Sequence, residues 1–284
     1  MRQHSTGSLA DGAGRVRRVA RWPALAAATV ACAALGACTT TTTTTTSFAP
    51  TTAKPTAINN SDAASINVQL GLDYLQKNEL GLAQTKLQRA LSEDPGSADV
   101  HDALALLDEQ LGDGKGADRE YRRALALSNR APPELNNYAV FLCSHGRPAE
   151  GVRYFEEAAA NRLYPTPWAA YTNAGICLRG VHQDEEAMQR FTHALQVNPG
   201  FADAVFEASS LEYSQQRFVQ ARVRIDLFLM NNRPTPPLLL LGWQIARTQG
   251  DAAGQERYAL LLGRDFPDSP QAHALELANR SGSG

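Results

Sequence analysis

From residue 66 to residue 269 the chain places small and apolar residues three and four positions apart, and this helical pattern recurs every 34 residues. In INVQLGLDYLQKNELGLAQTKLQRALSEDP, residues 66–95, the recurring positions are Leu70, Gly71, Tyr74, Ala83, Leu87, Ala90 and Pro95. Thirty-four residues on come Leu104, Ala105, Ala117, Tyr121 and Ala124, and after another 34 Tyr138, Ala139, Leu142, Gly151, Phe155 and Ala158. A two-residue insertion then shifts the frame, and Tyr171, Ala174, Gly175, Leu178, Ala187, Phe191, Ala194 and Pro199 resume it. Weaker copies follow at 202–235 (Ala208, Ala221, Ile225, Phe228) and at 236–269 (Gly242, Leu262, Pro267).

Each period predicts two antiparallel helices. Small residues in the first helix (Gly71, Ala105, Ala139, Gly175) and in the second (Ala83, Ala117, Ala187) let the pair approach closely, while aromatic and leucine neighbours fill the gaps between pairs. A pair alone leaves an apolar face exposed, so stacking is required to bury it. Gly112-Asp113, His145-Gly146 and Gly250-Asp251 mark chain reversals inside pairs. Asp268-Ser269-Pro270 reads as a helix N-cap followed by proline in the first turn, opening a short helix through about Asn279. The pattern L-G-x2-Y, A-x3-F-x2-A, P resembles the tetratricopeptide repeat. It implies an all-α, right-handed superhelical solenoid over 64–280, with repeats at 64–97, 98–131, 132–165, 168–201, 202–235 and 236–269 and a capping helix.

In such solenoids the first helix of each repeat faces the concave surface. Reading the groove-facing position down the array gives Leu72, Leu106, Val140 and Ile176, then Ser210 and Gln244, so apolar gives way to polar. Val68 and Leu75 extend the apolar strip in the first repeat, and Asp99, Asp102 and Glu109 edge the second. Such a column suits one face of an amphipathic helix or an extended apolar peptide. The alternative is that these side chains pack between repeats.

The N-terminal region reads as a targeting device. Arg15, Arg17, Arg18 and Arg21 precede WPALAAATVACAALGA, residues 22–37, which has the length of a signal-peptide core and is shorter than the roughly 20 residues that span a bilayer. It closes on Leu35-Gly36-Ala37-Cys38, which resembles the lipobox of bacterial lipoproteins. That resemblance implies cleavage after residue 37, acylation of Cys38 and attachment to a membrane through the lipid, since stable anchoring takes more than one chain. Thr39, where an aspartate would favour the inner membrane, points to the outer one. Residues 38–63 are rich in Thr, Pro, Ala and Asn and predict a tether with a reach of roughly 25 to 30 Å.

The full chain has a net charge of −2, but without residues 1–37 the balance is 22 basic to 28 acidic residues, or −6. With no basic run, nothing favours a nucleic-acid partner. No metal site, cofactor site or catalytic constellation emerges, and no small-molecule substrate is implied. His4, His101, His145, His182, His193 and His273 lack ligand spacing and read as surface or turn residues, and no glycine-rich phosphate loop is present. Asn137 and Asn173 occupy equivalent positions, as in repeats that clamp a peptide carboxylate, but Val140 and Ile176 stand where companion polar residues belong. They read instead as side chains bonding backbone between helices. Cys143 and Cys177 lie in neighbouring first helices, offset by two residues from the repeat frame, a rotation of about 200° that turns them toward each other. In an oxidising compartment they pair as a disulfide; otherwise they are two buried thiols.

NNYAVFLCSHGRPAEGVRYFEEA (136–158), LYPTPWAAYTNAGIC (163–177) and DFPDSP (265–270) resemble the PilW/PilF family of type IV pilus biogenesis and stability lipoproteins. The L-Y-x-T-P step followed by N-A-G-x-C is more specific than the repeat consensus. The resemblance implies a non-enzymatic adaptor, or pilotin, anchored in the outer membrane and facing the periplasm, whose repeats hold the pilus secretin subunit and promote its multimerisation. Residues 1–14 and the eight-threonine tract depart from the family pattern. The competing reading is a repeat-bearing lipoprotein adaptor for peptidoglycan hydrolases or for another secretion or pilus machine.

Overall fold

The computed structural model describes residues 60–281; the signal segment, Cys38 and the tether to residue 59 lie outside the described residues. Among the described residues the chain forms thirteen helices and no strand. Helix α1 (Asn60–Gln76) pairs with α2 (Leu80–Glu93), α3 (Ala98–Gln110) with α4 (Gly114–Leu127), and α5 (Pro132–Ser144) with α6 (Pro148–Ala160). Then α7 (Pro167–Gly180) pairs with α8 (Asp184–Val197), α9 (Ala202–Ser214) with α10 (Phe218–Asn231), and α11 (Pro236–Thr248) with α12 (Ala252–Asp265). The last helix, α13 (Pro270–Ser281), packs on α11 and α12, and the Ser269 hydroxyl accepts from the Ala272 N–H at 3.1 Å at its start. This is the tetratricopeptide-repeat solenoid. Residues 60–63, which composition assigns to the tether, form the first turn of α1, where Asp62 meets the positive end of the helix.

Every pair closes through a three-residue turn whose middle residue is left-handed. Gly112, Gly146 and Gly250 supply that conformation without steric cost, whereas Asn78, His182 and Gln216 adopt it at φ near 60°. Those three turns carry no glycine and are therefore silent in the sequence. Asp113 and Asp251 cap the helices that follow, each carboxylate accepting the N–H three residues on at 2.9 Å. Successive pairs are joined by four-residue links, except for residues 161–166, where the two-residue insertion falls. There Tyr164 packs against the core and Leu163 projects outward, 91% exposed.

One contact recurs in every pair. A small residue of the first helix lies under a large residue sixteen positions later in the second: Gly71 under Leu87, Gly175 under Phe191 and Gly242 under Tyr258. A Cβ added at these glycines would lie 2.5, 2.4 and 2.6 Å from those side chains. The same offset separates Ala105 from Tyr121 and Ala139 from Phe155, which share one core cluster, and Ser209 from Ile225, and all six large residues are essentially inaccessible. The fifth pair uses Ser209 where its neighbours use glycine or alanine, and in the sixth both partners sit one residue early. This substitution and this slip are why those two repeats look weak in sequence.

Gly151 takes the position that alanine holds in α2, α4 and α8, and the reason is local. A Cβ there would meet the Cys143 Sγ at 2.4 Å and the Ala139 carbonyl oxygen at 2.8 Å. Gly151→Ala is expected to destabilise the protein by about 1–3 kcal/mol through overpacking. Gly263→Ala, with nothing within 4 Å of the added atom, is expected to stabilise it by about 0.5–1 kcal/mol through helix propensity. Urea unfolding of the two variants should therefore move in opposite directions.

Candidate functional site

The backbone of each first helix closely approaches that of the first helix of the next repeat, α1 to α3, α3 to α5, α5 to α7, α7 to α9 and α9 to α11. Successive second helices stand farther apart and reach each other through long side chains, Arg190 of α8 to Glu156 of α6 and Arg257 and Tyr258 of α12 to Asp226 of α10. The first helices are thus the closer-spaced set and line the inside of the superhelix. Three depressions follow one another along it. The first, about 440 Å³, lies between α1, α3 and α5 and includes Val68, Leu72, Asp99, Asp102, Leu106 and Asn137. The second, about 340 Å³, lies between α5 and α7 and includes Val140, Asn173, Ile176 and both cysteines. The third, between α7, α9, α11 and α13, is lined by Arg179, Ser210, Gln244 and Gln271 among others.

Leu106, Val140 and Ile176 are 39%, 48% and 44% exposed in this groove, and Leu72 is half-buried beside them. Val68 forms part of the groove floor. Leu75, expected on the same strip, packs instead into the core formed by α1, α2 and α3; it is rotated about 60° around the helix from Leu72, which packs against the same core from the edge of the groove.

The polar residues of the groove are linked between repeats. Asn137 Nδ2 donates to Asp102 Oδ2 at 2.7 Å, and Asn173 Nδ2 donates to Asn136 Oδ1 at 3.0 Å. Both asparagines therefore bond side chains of adjacent elements rather than backbone, since parallel first helices present facing side chains one repeat apart. Asp102 is 9% exposed, and burial pushes its carboxyl up to about 7; the Asn137 hydrogen bond opposes this, and the charges of Glu134 and Asp99 reinforce it. Burial also raises Glu134. Glu109, assigned to the edge, accepts the Tyr121 hydroxyl at 2.6 Å.

Cys143 and Cys177 are joined by a disulfide, with Cα atoms 5.7 Å apart, which ties α5 to α7 in the second depression. His101, read as a surface residue, is buried and hydrogen-bonded at both ring nitrogens, to Glu120 at 2.6 Å and to the Pro95 carbonyl at 3.1 Å. Sequence reasoning also missed an outer surface. Val219, Val223, Leu227 and Met230 are all at least half exposed on α10, beside a depression of about 740 Å³ between α8, α9 and α10. Their i, i+4, i+8 spacing is the signal that marks it. Among the described residues, no helix is long and apolar enough to cross a membrane.

The groove and the stacked pairs define a repeat-protein scaffold that presents a concave surface. No protein-family model matches the chain. It is 34% identical over 208 residues to the type IV pilus assembly protein PilF of Pseudomonas aeruginosa, covering 73% of this chain and 82% of that protein. The solved structure of Pseudomonas aeruginosa PilF superposes with a TM-score of 0.58 at 32% identity, covering 77% of this chain and 99% of the other. The structure of PilW, described as a widely conserved type IV pilus biogenesis factor, gives 0.58 at 28% identity, covering 75% and 97%. The chain belongs to this PilF/PilW family of tetratricopeptide-repeat proteins of type IV pilus biogenesis.

The folded Asp102 keeps its proton to about pH 7, whereas an unfolded aspartate loses it near pH 4. The native state therefore binds more protons between those values, and stability falls as pH rises through that window. Asp102→Asn is expected to be more stable than the parent above neutrality, by on the order of 1–3 kcal/mol, with the gain vanishing near pH 4. Equal gains at both pH values in urea unfolding would rule out the buried charge as the cause. Reducing the folded protein is expected to add the mass of two hydrogens and to cost about 3–4 kcal/mol for the loop of sequence separation 34. An unchanged mass would mean separate thiols.

Proposed function

We propose that this protein is a non-enzymatic outer-membrane lipoprotein adaptor, or pilotin, that binds the type IV pilus secretin subunit in the concave groove of repeats one to four and promotes its localisation and multimerisation. The observation that carries this reading is the apolar column of Leu72, Leu106, Val140 and Ile176 on the inner face of a pilus-biogenesis family scaffold, with the last three 39–48% exposed. A water-facing apolar strip of this length is maintained at a cost in solubility and is offset when a partner covers it. Acyl chains on Cys38 hold the complex at the membrane, and the segment between Cys38 and α1 lets the groove work at a distance from the bilayer. The Cys143–Cys177 disulfide forms on export and holds the middle of the groove to one shape.

The test is the amount of secretin multimer in outer-membrane fractions from strains carrying the parent protein, Cys38→Ala, or Leu72→Glu with Leu106→Glu, each at normal abundance. Multimers are expected to be nearly lost in both variants. Normal multimers with Cys38→Ala would remove the lipid from the mechanism, and normal multimers with the double variant would remove the groove.

A further inference from the structure

The first depression of the groove combines an apolar wall with an acidic floor that the protein itself leaves unneutralised. Asp102 on α3 has its Oδ2 engaged by Asn137, while its buried Oδ1 has no hydrogen-bond partner. Glu134 on α5, 7% exposed, likewise leaves its Oε2 without a partner, and Asp99 stands at the rim. Each of these carboxylates destabilises the charge on another: Glu134 and Asp99 act on Asp102, and Asp99 acts on Glu134. Among the described residues none of the three is in an ion pair.

Elsewhere in the solenoid, several buried and partly buried acids have a cation. Glu212, 4% exposed on α9, receives both Arg224 nitrogens; Glu207 receives Arg179, and Asp118 receives Arg147. An unpaired buried carboxylate costs several kcal/mol that folding does not return. Of the three buried acids, Glu212 alone is paired with arginine; Asp102, which lines the first depression, and Glu134 are not.

We propose that the depression between α1, α3 and α5 binds a lysine side chain of the partner segment, with the ammonium on Asp102 and the stem against Val68, Leu72 and Leu106. The inference rests on the reading that this groove holds the partner. Only one oxygen of Asp102 is free, which suits the point charge of an ammonium; the planar fork of an arginine needs both. Glu134 and Asp99 supply the surrounding negative field, and the apolar wall takes the methylene stem that a lysine buries while its head stays polar. The recognised motif is therefore a lysine set among apolar residues. The second depression, with Val140 and Ile176, takes apolar positions of the same segment.

The test uses the full-length protein in lipid nanodiscs and blocked synthetic pentapeptides Ala-Leu-X-Leu-Ala, with X lysine, arginine or glutamine, titrated against amide NMR shifts of α1, α3 and α5. The lysine peptide is expected to bind at least about tenfold more tightly than the glutamine peptide, with arginine between them. Asp102→Asn is expected to abolish the preference while leaving the protein folded and no less stable. The absence of saturable binding, equal affinities, arginine matching lysine, or an unchanged preference in Asp102→Asn each overturns the inference. Co-isolation of the secretin subunit with the same variants separates the two readings. Loss with Leu72→Glu plus Leu106→Glu but full retention with Asp102→Asn keeps the groove and removes the lysine. Retention with the double variant removes the groove reading instead, and loss with both supports the lysine site.

Discussion

The architecture depends on one steric constraint, the seating of a large side chain of each second helix on a small residue of the first, sixteen positions earlier. With a glycine, alanine or serine beneath, Leu87, Tyr121, Phe155, Phe191, Ile225 and Tyr258 are buried to within 1% of completely. Each such burial contributes about 1.5–3 kcal/mol, but its larger effect is geometric. It fixes how closely the helices of a pair approach and in what register, and so the angle at which the next pair must stack.

Curvature follows from that stacking. First helices approach one another more closely than second helices do along the array, so the first helices form an inner wall whose exposed positions recur at the superhelical spacing. Leu106, Val140 and Ile176 are presented there for the same reason that Ala105, Ala139 and Gly175 are hidden: each follows its small residue by one position and is rotated about 100° away from the second helix. The disulfide uses the same spacing. Cys143 and Cys177 face each other because their helices are parallel neighbours, and Gly151 vacates the space that the Cys143 sulfur occupies.

The groove also holds a tension that packing does not resolve. Asp102 would be easier to bury as asparagine, which could still accept from Asn137, yet the chain retains a carboxylate whose charge the solenoid disfavours. Glu212 and Asp118, by contrast, are paired with Arg224 and Arg147. A group that weakens the fold and lines a surface is best understood through what binds that surface.

The repeat period, the helix pairs, the insertion after the third pair and the apolar column were legible in the sequence, because periodicity and residue size carry them directly. The resemblance of Leu35-Gly36-Ala37-Cys38 to a lipobox is read from the sequence alone and lies outside the described residues. Three turns were not legible, since Asn78, His182 and Gln216 adopt a left-handed backbone without the glycine that marks the other three. Asparagine and histidine enter that region more readily than most residues, but occur too often elsewhere in helices for either to mark a turn alone. Nor was the one-residue slip of the sixth pair, which leaves Gly242 and Tyr258 matched to each other but out of step with the period. The burial of Leu75 and His101, the Asn137–Asp102 bond and the unpaired carboxylates emerged only from tertiary structure. Each depends on which side chains of adjacent repeats meet across an interface, and that is set by stacking angle, which a single repeat's sequence does not contain.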